Sequence, residues 1–459
     1  MKNDFLSTIA AVSTPRGKGG VALIRISGEE AVAVSGRCFS PKCAKSVSEL
    51  TPRTAYFGDI ISEGMPIDDG IITLFKAPAS YTGEDMVEIS CHGGVLVTER
   101  VLEAVFKAGA IPAAAGEFTR RAFVNGKLSL TKAEAVGEIL EAKSDAQLKI
   151  AASTRRGALS EKISEASHAL TVLVADVYAR IDYPDEDLSE ISDEEFSKRA
   201  TEVKHSLEKL RDTYRSASAI FEGIKTVICG APNRGKSSLY NAIAGEDAAI
   251  VTDIAGTTRD ILERDIPLGS VLLHLTDTAG IHDTEDVVEK IGVSRAKDRL
   301  ADAELVICVL DGSQPLEEDD LSLFEDLKNV SAPKIAILNK CDIGEENITL
   351  PCGLFDCQIR MSAKNRDGIS ELKSAVEKLF IDDKIDTASD AMVTNARQFA
   401  ALDEAIALIT DAIHTASGMG ADLASSDLER AIATLDELDG KSVSENIVSE
   451  IFSRFCVGK

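Results

Sequence analysis

The sequence lacks any run of eighteen consecutive apolar residues, so it predicts no membrane-spanning helix. Its first apolar stretch is short, follows the charged residues Lys2 and Asp4, and is interrupted by Ser7 and Thr8, so a secretory signal peptide is not expected. The nine cysteines include no Cys-x-x-Cys pair and no cluster with histidine, which argues against a zinc site and against a disulfide framework. These absences predict a cytoplasmic protein without membrane contact.

Positive charge is also scarce. The chain has 50 lysines and arginines against 76 aspartates and glutamates, a net charge of −26. Phosphate groups are repelled by such a surface, so nonspecific binding to nucleic acid is disfavoured. An RNA substrate would therefore need a local basic patch or a basic partner protein.

The beginning of the chain predicts a small mixed α/β domain. Short β-rich runs (VALIRIS, GIITLF, MVEISC) alternate with glycine and proline over residues 1–122. The GKGGVA stretch in this region resembles a dinucleotide-binding fingerprint, but it precedes a strand and opens no helix. We therefore interpret it as a loop.

Helical periodicity characterises residues 123–221 and returns in residues 384–459. Between them, residues 222–383 alternate strands (KTVICG, VLLHLTD, ELVICVLDG, KIAILNK) with helical stretches, which indicates a mainly parallel sheet covered by helices. The predicted fold class is therefore multidomain, with an N-terminal α/β domain and a helical domain into which a second α/β domain is inserted. Two capping boxes are predicted at helix starts: Thr131 with Glu134, and Ser192 with Glu195.

The GAPNRGKS motif, residues 230–237, lies directly between the strand KTVIC and the helical run SLYNAIAG. In such a P-loop the backbone N–H groups point at phosphate oxygens, Lys236 reaches the β- and γ-phosphates, and Ser237 ligates Mg²⁺. This context of strand, loop and helix predicts a nucleotide site.

Three further motifs indicate which nucleotide binds and which reaction follows. DTAG follows the strand VLLHLT, which places Asp277 in the magnesium shell and the Gly280 N–H near the γ-phosphate. NKCD follows the strand KIAIL, and the Asp342 carboxylate can accept two hydrogen bonds from guanine that adenine cannot supply. SAK, residues 362–364, fits the loop that packs on the base, and Thr258 fits the switch threonine on Mg²⁺. Together they predict a Ras-like P-loop GTPase domain that transfers a phosphoryl group to water.

The four motifs identify no residue for two roles in this hydrolysis. Many signalling GTPases carry a glutamine after the DxxG glycine to orient the attacking water, whereas this chain has Ile281. The charge on the β,γ-bridging oxygen also needs neutralising, for which an arginine finger typically contributes roughly 10³- to 10⁵-fold in rate. Other groups must therefore position the water and supply positive charge.

The motifs GAPNRGKSSL, TDIAGTTRD and DTAGIHDTEDVVEKIG, together with the terminal FCVGK, resemble the MnmE (TrmE) family of tRNA modification GTPases over the full chain. FCVGK is the most specific of these, because GTPases of the ribosome-assembly type share the other motifs but not this tail. A prenyl anchor at Cys456 fits poorly, since Gly458 and Lys459 occupy the last two places. The resemblance instead implies a tail that forms part of a site.

The resemblance implies a potassium ion in place of the arginine finger, held by an amide oxygen and backbone carbonyls, which suit a weakly hydrated cation. It also implies a glutamate that orients the water; the alternative for that residue is an exposed charge on a helix. The implied potassium ligands are Asn233, Thr252, Ile254 and Thr257, the magnesium ligands are Ser237 and Thr258, and the catalytic residues are Glu289, Lys236 and Thr258. The residues implied to bind GTP or GDP are Asn233, Arg234, Gly235, Lys236, Ser237, Ser238, Thr252, Asp253, Ile254, Ala255, Gly256, Thr257, Thr258, Asp277, Thr278, Ala279, Gly280, Asn339, Lys340, Asp342, Ser362, Ala363 and Lys364.

Arg234 departs from the family pattern, in which this P-loop position is usually small. One expectation is a side chain directed into solvent. A sharper hypothesis is that its guanidinium competes for the place of the potassium ion and weakens the requirement for potassium.

The N-terminal domain resembles the family's folate-binding and dimerisation domain, which carries a one-carbon tetrahydrofolate, either the 5-formyl or the methylene derivative. The family's contacts fall on Arg25, Glu88, Lys127 and Lys459, where the carboxylate suits pterin N–H donors and the cations suit the ligand's carboxylates. Each of the four alone would be interpreted as an ordinary surface residue. Cys456 lies near this site, but only Lys459 is at hand to stabilise its thiolate, so no nucleophilic role is expected.

The resemblance also implies partners. They are a second copy of the chain bound through the N-terminal domain, and the FAD-binding protein MnmG (GidA) in a heterotetramer; this chain shows no FAD site of its own. The pair would form 5-carboxymethylaminomethyl or aminomethyl uridine at the wobble position of certain tRNAs. Two alternatives remain: a regulatory or ribosome-assembly GTPase that modifies nothing, and a membrane-tethered switch that rests on Cys456 alone.

Overall fold

The computed structural model describes residues 7–182, 192–247, 264–275, 300–344, 348–382, 385 and 390–459. Its strands are β1 Ile9–Val12, β2 Val21–Ser27, β3 Phe39–Pro41, β4 Ala55–Ser62, β5 Met65–Phe75, β6 Met86–His92, β7 Ile111–Pro112, β8 Ile224–Cys229, β9 Arg264–Leu268, β10 Val271–Leu275, β11 Leu305–Asp311, β12 Lys334–Asn339 and β13 Cys357–Arg360. Its helices are α1 Ala31–Cys38, α2 Val95–Lys107, α3 Glu117–Val124, α4 Leu130–Glu141, α5 Asp145–Arg156, α6 Ala158–Asp182, α7 Asp193–Asp212, α8 Tyr214–Phe221, α9 Lys236–Asp247, α10 Glu318–Leu327, α11 Ile369–Phe380, α12 Ala396–Met419, α13 Ala421–Asp439 and α14 Glu445–Ser453.

The chain folds into two compact units, each assembled from segments that are distant in sequence. Unit 1 comprises Met1–Gly137, Arg155–Ile191 and Gly418–Lys459, and unit 2 comprises Glu138–Thr154 and Ser192–Ser417. The helical regions therefore contribute to both units. The domain boundaries predicted from the sequence stay a prediction.

Unit 1 contains a seven-stranded sheet in the order β3-β4-β5-β6-β2-β1-β7. Its neighbouring strands are antiparallel except β1 and β7, which are parallel. Helices α1 and α2 pack against this sheet and bury the apolar residues that alternate along the strands, such as Ile24 and Ile26 on β2. The register places Arg25 on β2 directly opposite Glu88 on β6.

The two predicted capping boxes have different outcomes. Thr131 lies inside α4, which begins at Leu130, and the hydroxyl of Ser129 accepts a hydrogen bond from the N–H of residue 132. The prediction at Thr131 was therefore wrong, because the helix starts earlier than the Thr-x-x-Glu spacing suggested. At Ser192 only the N-cap half of the predicted box is confirmed: its side chain caps α7 by accepting from the Glu195 N–H at 3.1 Å, whereas the Glu195 carboxylate accepts from Arg199 Nε at 2.9 Å.

Unit 2 contains the six-stranded sheet β13-β12-β11-β8-β10-β9. All adjacent pairs are parallel except β9 with β10, which confirms the predicted mainly parallel sheet. Strands β11 and β12 are buried along their whole length, as expected for a sheet covered on both faces. Because the carboxyl ends of β8 and β12 meet at one edge, the loops that follow them are neighbours.

All nine cysteines are free thiols. Among the helices in the described ranges, none combines the length and the apolar character needed to cross a lipid bilayer.

Candidate functional site

The P-loop connects β8, which ends at Cys229, to α9, which begins at Lys236. Asn233 and Gly235 adopt left-handed backbone conformations, with φ of 62° and 97°. A Cβ atom on Gly235 would lie 2.1 Å from the Asn339 side-chain nitrogen, so this position requires glycine for space as well as for conformation. The loop is thereby packed directly against the NKCD motif.

Lys236 and Ser237 occupy the first two positions of α9, as the P-loop motif predicts. The Lys236 ammonium donates hydrogen bonds to the carbonyl oxygens of Gly230 and Ala231, each at 2.9 Å. The cation therefore lies over the loop, where the β- and γ-phosphates of a P-loop nucleotide bind. The N-terminus of α9 adds the positive end of its dipole to the same place.

Asn339, the last residue of β12, connects three of the predicted motifs. Its Nδ2 donates to the Arg234 carbonyl of the P-loop at 3.0 Å, and its Oδ1 accepts from the Ala363 N–H of the SAK motif at 3.0 Å. The side chain is buried, so both hydrogen bonds are shielded from water. The P-loop, NKCD and SAK thus meet at the carboxyl edge of the sheet.

The predicted base-reading corner contains Asp342 and Ser362, which are in direct contact. The Ser362 hydroxyl donates to Asp342 Oδ1 at 2.7 Å, which orients the carboxylate. Next to it, the Lys340 ammonium lies 2.7 Å from Asp311 Oδ2. Burial disfavours the ionised form of Asp311, but hydrogen bonds from Lys340 and Ser313 outweigh it and lower the pKa of that carboxyl. The side chains around the predicted base site are therefore held in place by charge-assisted contacts.

Arg234 differs from its sequence expectation. Only 4% of the residue is exposed, and its guanidinium contacts Asp320 and Glu317 at the start of α10. The expected solvent-directed side chain was therefore wrong, because an acidic pair inside the unit attracts the guanidinium. Sequence reasoning missed Asp320, since nothing local to either residue indicates that α10 packs beside the P-loop.

Several predicted site residues lie outside the described residues, and their prediction stands untested. They are Thr252, Asp253, Ile254, Ala255, Gly256, Thr257, Thr258, Asp277, Thr278, Ala279, Gly280 and Glu289.

The C-terminal tail packs against strands β1 and β2 of unit 1 without joining the sheet as a strand. The Gly458 carbonyl accepts hydrogen bonds from the Ser13 hydroxyl at 2.9 Å and from Arg25 Nη1 at 3.2 Å. The Phe118 N–H donates to the Lys459 carbonyl at 3.2 Å. A Cβ on Gly458 would lie 2.3 Å from the Val12 carbonyl oxygen, and its φ is 99°, so only glycine fits this close approach.

This docking brings three of the four predicted folate contacts together. Arg25 Nη2 lies 2.8 Å from Glu88 Oε1, and the guanidinium carbon lies 5.7 Å from the ring centres of both Tyr81 and Phe118. Burial lowers the pKa of the Lys459 ammonium, and the nearby charges of Arg25 and Arg155 lower it further. The result is a small cationic cluster flanked by two aromatic rings.

Lys127, the fourth predicted contact, has a different environment. Its ammonium donates to the Pro78 carbonyl at 2.8 Å, on the segment that also carries Tyr81. Arg155, which the sequence did not single out, is near enough to Lys459 to lower its pKa.

A network of ion pairs centred on the buried Arg121 lies next to the cationic cluster, on the helix that carries Phe118. Arg121 on α3 is fully buried, and its guanidinium contacts Glu117 at 2.8 Å, Glu84 at 3.1 Å and the Ser7 carbonyl at 3.0 Å. The Ser27 hydroxyl also donates to Glu84, at 2.7 Å. Because α3 also carries Phe118, this network fixes one wall of the cationic cluster.

Two family models match the chain. The model for the GTP-binding protein TrmE N-terminus matches residues 8–127, and the model for the MnmE helical domain matches residues 130–456. Among solved structures, the G domain of the T. maritima FeoB iron transporter matches 34% of this chain and 97% of that chain, at 24% identity and a TM-score of 0.25.

Curated relatives named tRNA modification GTPase MnmE match nearly the whole chain. The protein of Clostridioides difficile is 41% identical over 98% of this chain and 99% of its own length. Those of Thermotoga petrophila and Geobacillus kaustophilus are each 39% identical, over 99% and 98% of this chain and 100% and 99% of their own lengths. With a family model that covers most of its length and relatives this similar, the chain belongs to the MnmE (TrmE) family of tRNA modification GTPases.

Proposed function

We propose that this protein hydrolyses GTP and takes part in modifying the wobble uridine of certain tRNAs. The observation that carries the GTPase part is the meeting of the P-loop, NKCD and SAK motifs, with Asn339 hydrogen-bonded to both other loops. The relatives named tRNA modification GTPase MnmE support the tRNA part.

Nucleotide binding follows from the side chains at the sheet edge. The N–H groups of the P-loop and the Lys236 ammonium bind the β- and γ-phosphates, and Lys236 exchanges its two carbonyl partners for phosphate oxygens. Asp342, held by Ser362, accepts hydrogen bonds from the guanine N1–H and N2 amine. An adenine base presents no N–H donor at these two positions, so the Asp342 carboxylate would gain no hydrogen bond from it, which selects GTP.

Two metal ions belong to the proposed reaction. Ser237 fits Mg²⁺, because it places a hydroxyl oxygen at the N-terminus of α9 beside the phosphate-binding loop, and Thr258 would complete the ligands. Asn233 offers an amide oxygen for K⁺ together with Thr252, Ile254 and Thr257. Bound there, the cations would neutralise charge that develops on the phosphoryl group. Glu289 would orient the attacking water.

The modification chemistry is proposed to use a one-carbon tetrahydrofolate held by Arg25, Glu88, Lys127 and Lys459. The cationic cluster between Tyr81 and Phe118 supports this, since it offers a charged and an aromatic surface to a pterin with a carboxylate tail. The flavin would come from the FAD-binding partner MnmG in the cytoplasm.

A homodimer through the N-terminal domain is part of the same proposal. Phe57 on β4 and Ile71 on β5 are cross-strand partners, and about half of each side chain is exposed. Such an apolar pair on a sheet face suits burial against a second copy.

Loss of the protein is expected to remove the wobble modification. Mass analysis of tRNA nucleosides from cells lacking the gene should show unmodified or partly modified wobble uridine, and the wild-type gene should restore the product. The Lys236→Ala variant should restore none of it, because the phosphate-binding ammonium is gone. Lys328→Ala, which alters an exposed lysine on the same unit, is the matched control. An unchanged nucleoside profile in the deletion would favour a regulatory GTPase that modifies nothing.

Folate binding distinguishes a tRNA modification GTPase from a regulatory GTPase that modifies nothing. The purified protein is expected to bind 5-formyltetrahydrofolate, and Glu88→Ala should weaken binding about tenfold or more, because it removes a charged acceptor and leaves Arg25 without its carboxylate partner. Isothermal titration measures the affinity, and Glu103→Ala, at an exposed carboxylate on α2, is the control. Absence of binding to the wild type would support the regulatory alternative.

A further inference from the structure

The Arg234 side chain joins the P-loop to α10, an element without any of the nucleotide motifs. Nη2 lies 2.7 Å from Asp320 Oδ2 and Nε lies 3.3 Å from Asp320 Oδ1, a bidentate pair. Nη2 is also 2.8 Å from Glu317 Oε2. Only 4% of Arg234 and 1% of Asp320 are exposed, so the pair is shielded from water and from salt.

Asp320 is a rigid partner because its own helix orients it. Its Oδ2 also accepts a hydrogen bond from the Glu317 N–H at 3.1 Å, at the first turn of α10. A guanidinium that meets a fixed carboxylate through two nitrogens is constrained in direction as well as in distance. The pair therefore fixes the orientation of the Arg234 side chain.

The backbone of Arg234 is held by a separate contact. Its carbonyl oxygen accepts the hydrogen bond from Asn339, and its neighbours Asn233 and Gly235 both have positive φ. A non-glycine residue such as Asn233 keeps this conformation only where its surroundings impose it. Arg234 is the residue at which the loop is tied both to the base-reading motif and to α10.

Stability alone does not account for such a pair. Replacing a buried ion pair with apolar side chains of similar volume is often neutral, whereas removing one partner strands a buried charge and destabilises the protein. Compared with an apolar contact, a charged bidentate pair also fixes the relative orientation of its two side chains. Because Arg234 belongs to the phosphate-binding loop, the pair with Asp320 constrains the conformation of that loop.

We propose that Arg234 is a positioning residue for the nucleotide, because its bidentate pair with Asp320 holds the P-loop backbone in its phosphate-binding shape before the nucleotide arrives. This inference rests on the proposed binding of GTP at this loop. A loop that is already ordered loses less conformational entropy on binding, so the pair acts on affinity and KM. Since the guanidinium is engaged by two carboxylates, it is not assigned to the place of a potassium ion.

Two variants of the full-length chain separate positioning from packing. Arg234→Met should lower the melting temperature and weaken binding of fluorescent GDP about tenfold or more, since Asp320 is stranded and the loop loses its fixed shape. Adding Asp320→Leu should restore most of the melting temperature, short of the part lost with the hydrogen bond from the Glu317 N–H, but leave GDP binding about tenfold weak, with a raised KM and a kcat close to that of the wild type. A double variant that recovers wild-type GDP affinity would overturn the proposal, because the pair would then act only in packing.

Hydrogen exchange without nucleotide makes the test independent of the proposed function. The P-loop amides of residues 230–237 should exchange roughly tenfold faster in the double variant than in the wild type, while amides of β11 should be unaffected. Equal exchange in the P-loop would overturn the positioning role. If the wild type itself binds no guanine nucleotide, the proposed function fails, and this measurement still decides whether Arg234 orders the loop.

Discussion

Asp342→Asn is expected to weaken GTP binding roughly 10²- to 10⁴-fold, because one hydrogen bond to the carboxylate is replaced by two N–H groups that face each other and the other loses its charge, where each charge-assisted bond contributes about 1.5–3 kcal/mol. An asparagine offers one acceptor and one donor, which matches xanthine, whose C2 carries an oxygen where guanine has an amine. The variant should therefore prefer XTP over GTP. Ser362 can keep its hydrogen bond to the remaining side-chain oxygen, so the local structure should persist. Competition between GTP and XTP for binding and for hydrolysis measures the change.

The matched control is Asp356→Asn. Asp356 accepts a hydrogen bond from the Lys334 N–H at 2.7 Å, at the start of β12, whereas Asn339 is the last residue of that strand and the predicted base-reading corner follows it. The control makes the same chemical change in the same unit, and its preference for GTP should match that of the wild type. If Asp342→Asn also kept that preference, the base-reading role of NKCD would be refuted.

Arg121→Met is expected to destabilise unit 1 by about 3–5 kcal/mol, because it leaves two largely buried carboxylates without the cation that balances them. Arg121 is fully buried, and it balances the charges of Glu84 and Glu117. Methionine fills much of the space but offers no hydrogen-bond donor. The free energy of opening, measured by hydrogen exchange of the β2 and α3 amides at increasing urea, should fall by this amount.

The control for this variant is Arg100→Met on α2. Arg100 pairs with Glu103 on the surface of the same unit, and more than half of its side chain is exposed. Exposed pairs of this kind contribute little to stability, so the opening free energy should stay close to that of the wild type. Equal behaviour of the two variants would mean that the carboxylates of Glu84 and Glu117 find protons or water when Arg121 is absent.

The predicted nucleotide site shows which residues a local sequence pattern can identify and which it cannot. The P-loop, NKCD and SAK residues could be predicted because each motif follows a β-rich run, and parallel strands bring their carboxyl ends to one edge. The pairing of Arg234 with Asp320 could not be predicted, because the two residues are 86 positions apart and neither has a local signal. An arginine in a loop is exposed by default, and only the packing of α10 beside the loop reverses that default.

The same difference between local motifs and long-range contacts holds for the chain as a whole, including unit 1. The sequence was enough to predict the mainly parallel sheet, to propose Asp342 as the guanine-reading carboxylate and, through the resemblance of its motifs, to indicate the family, because these depend on short contiguous motifs with a direct chemical meaning. The insertion of the FCVGK tail beside Arg25, 433 positions away, and the burial of Arg121 among carboxylates emerged only from the folded chain. Such contacts depend on which distant segments share a core, and the free energy that selects them is a sum over the whole molecule that no short window of sequence contains.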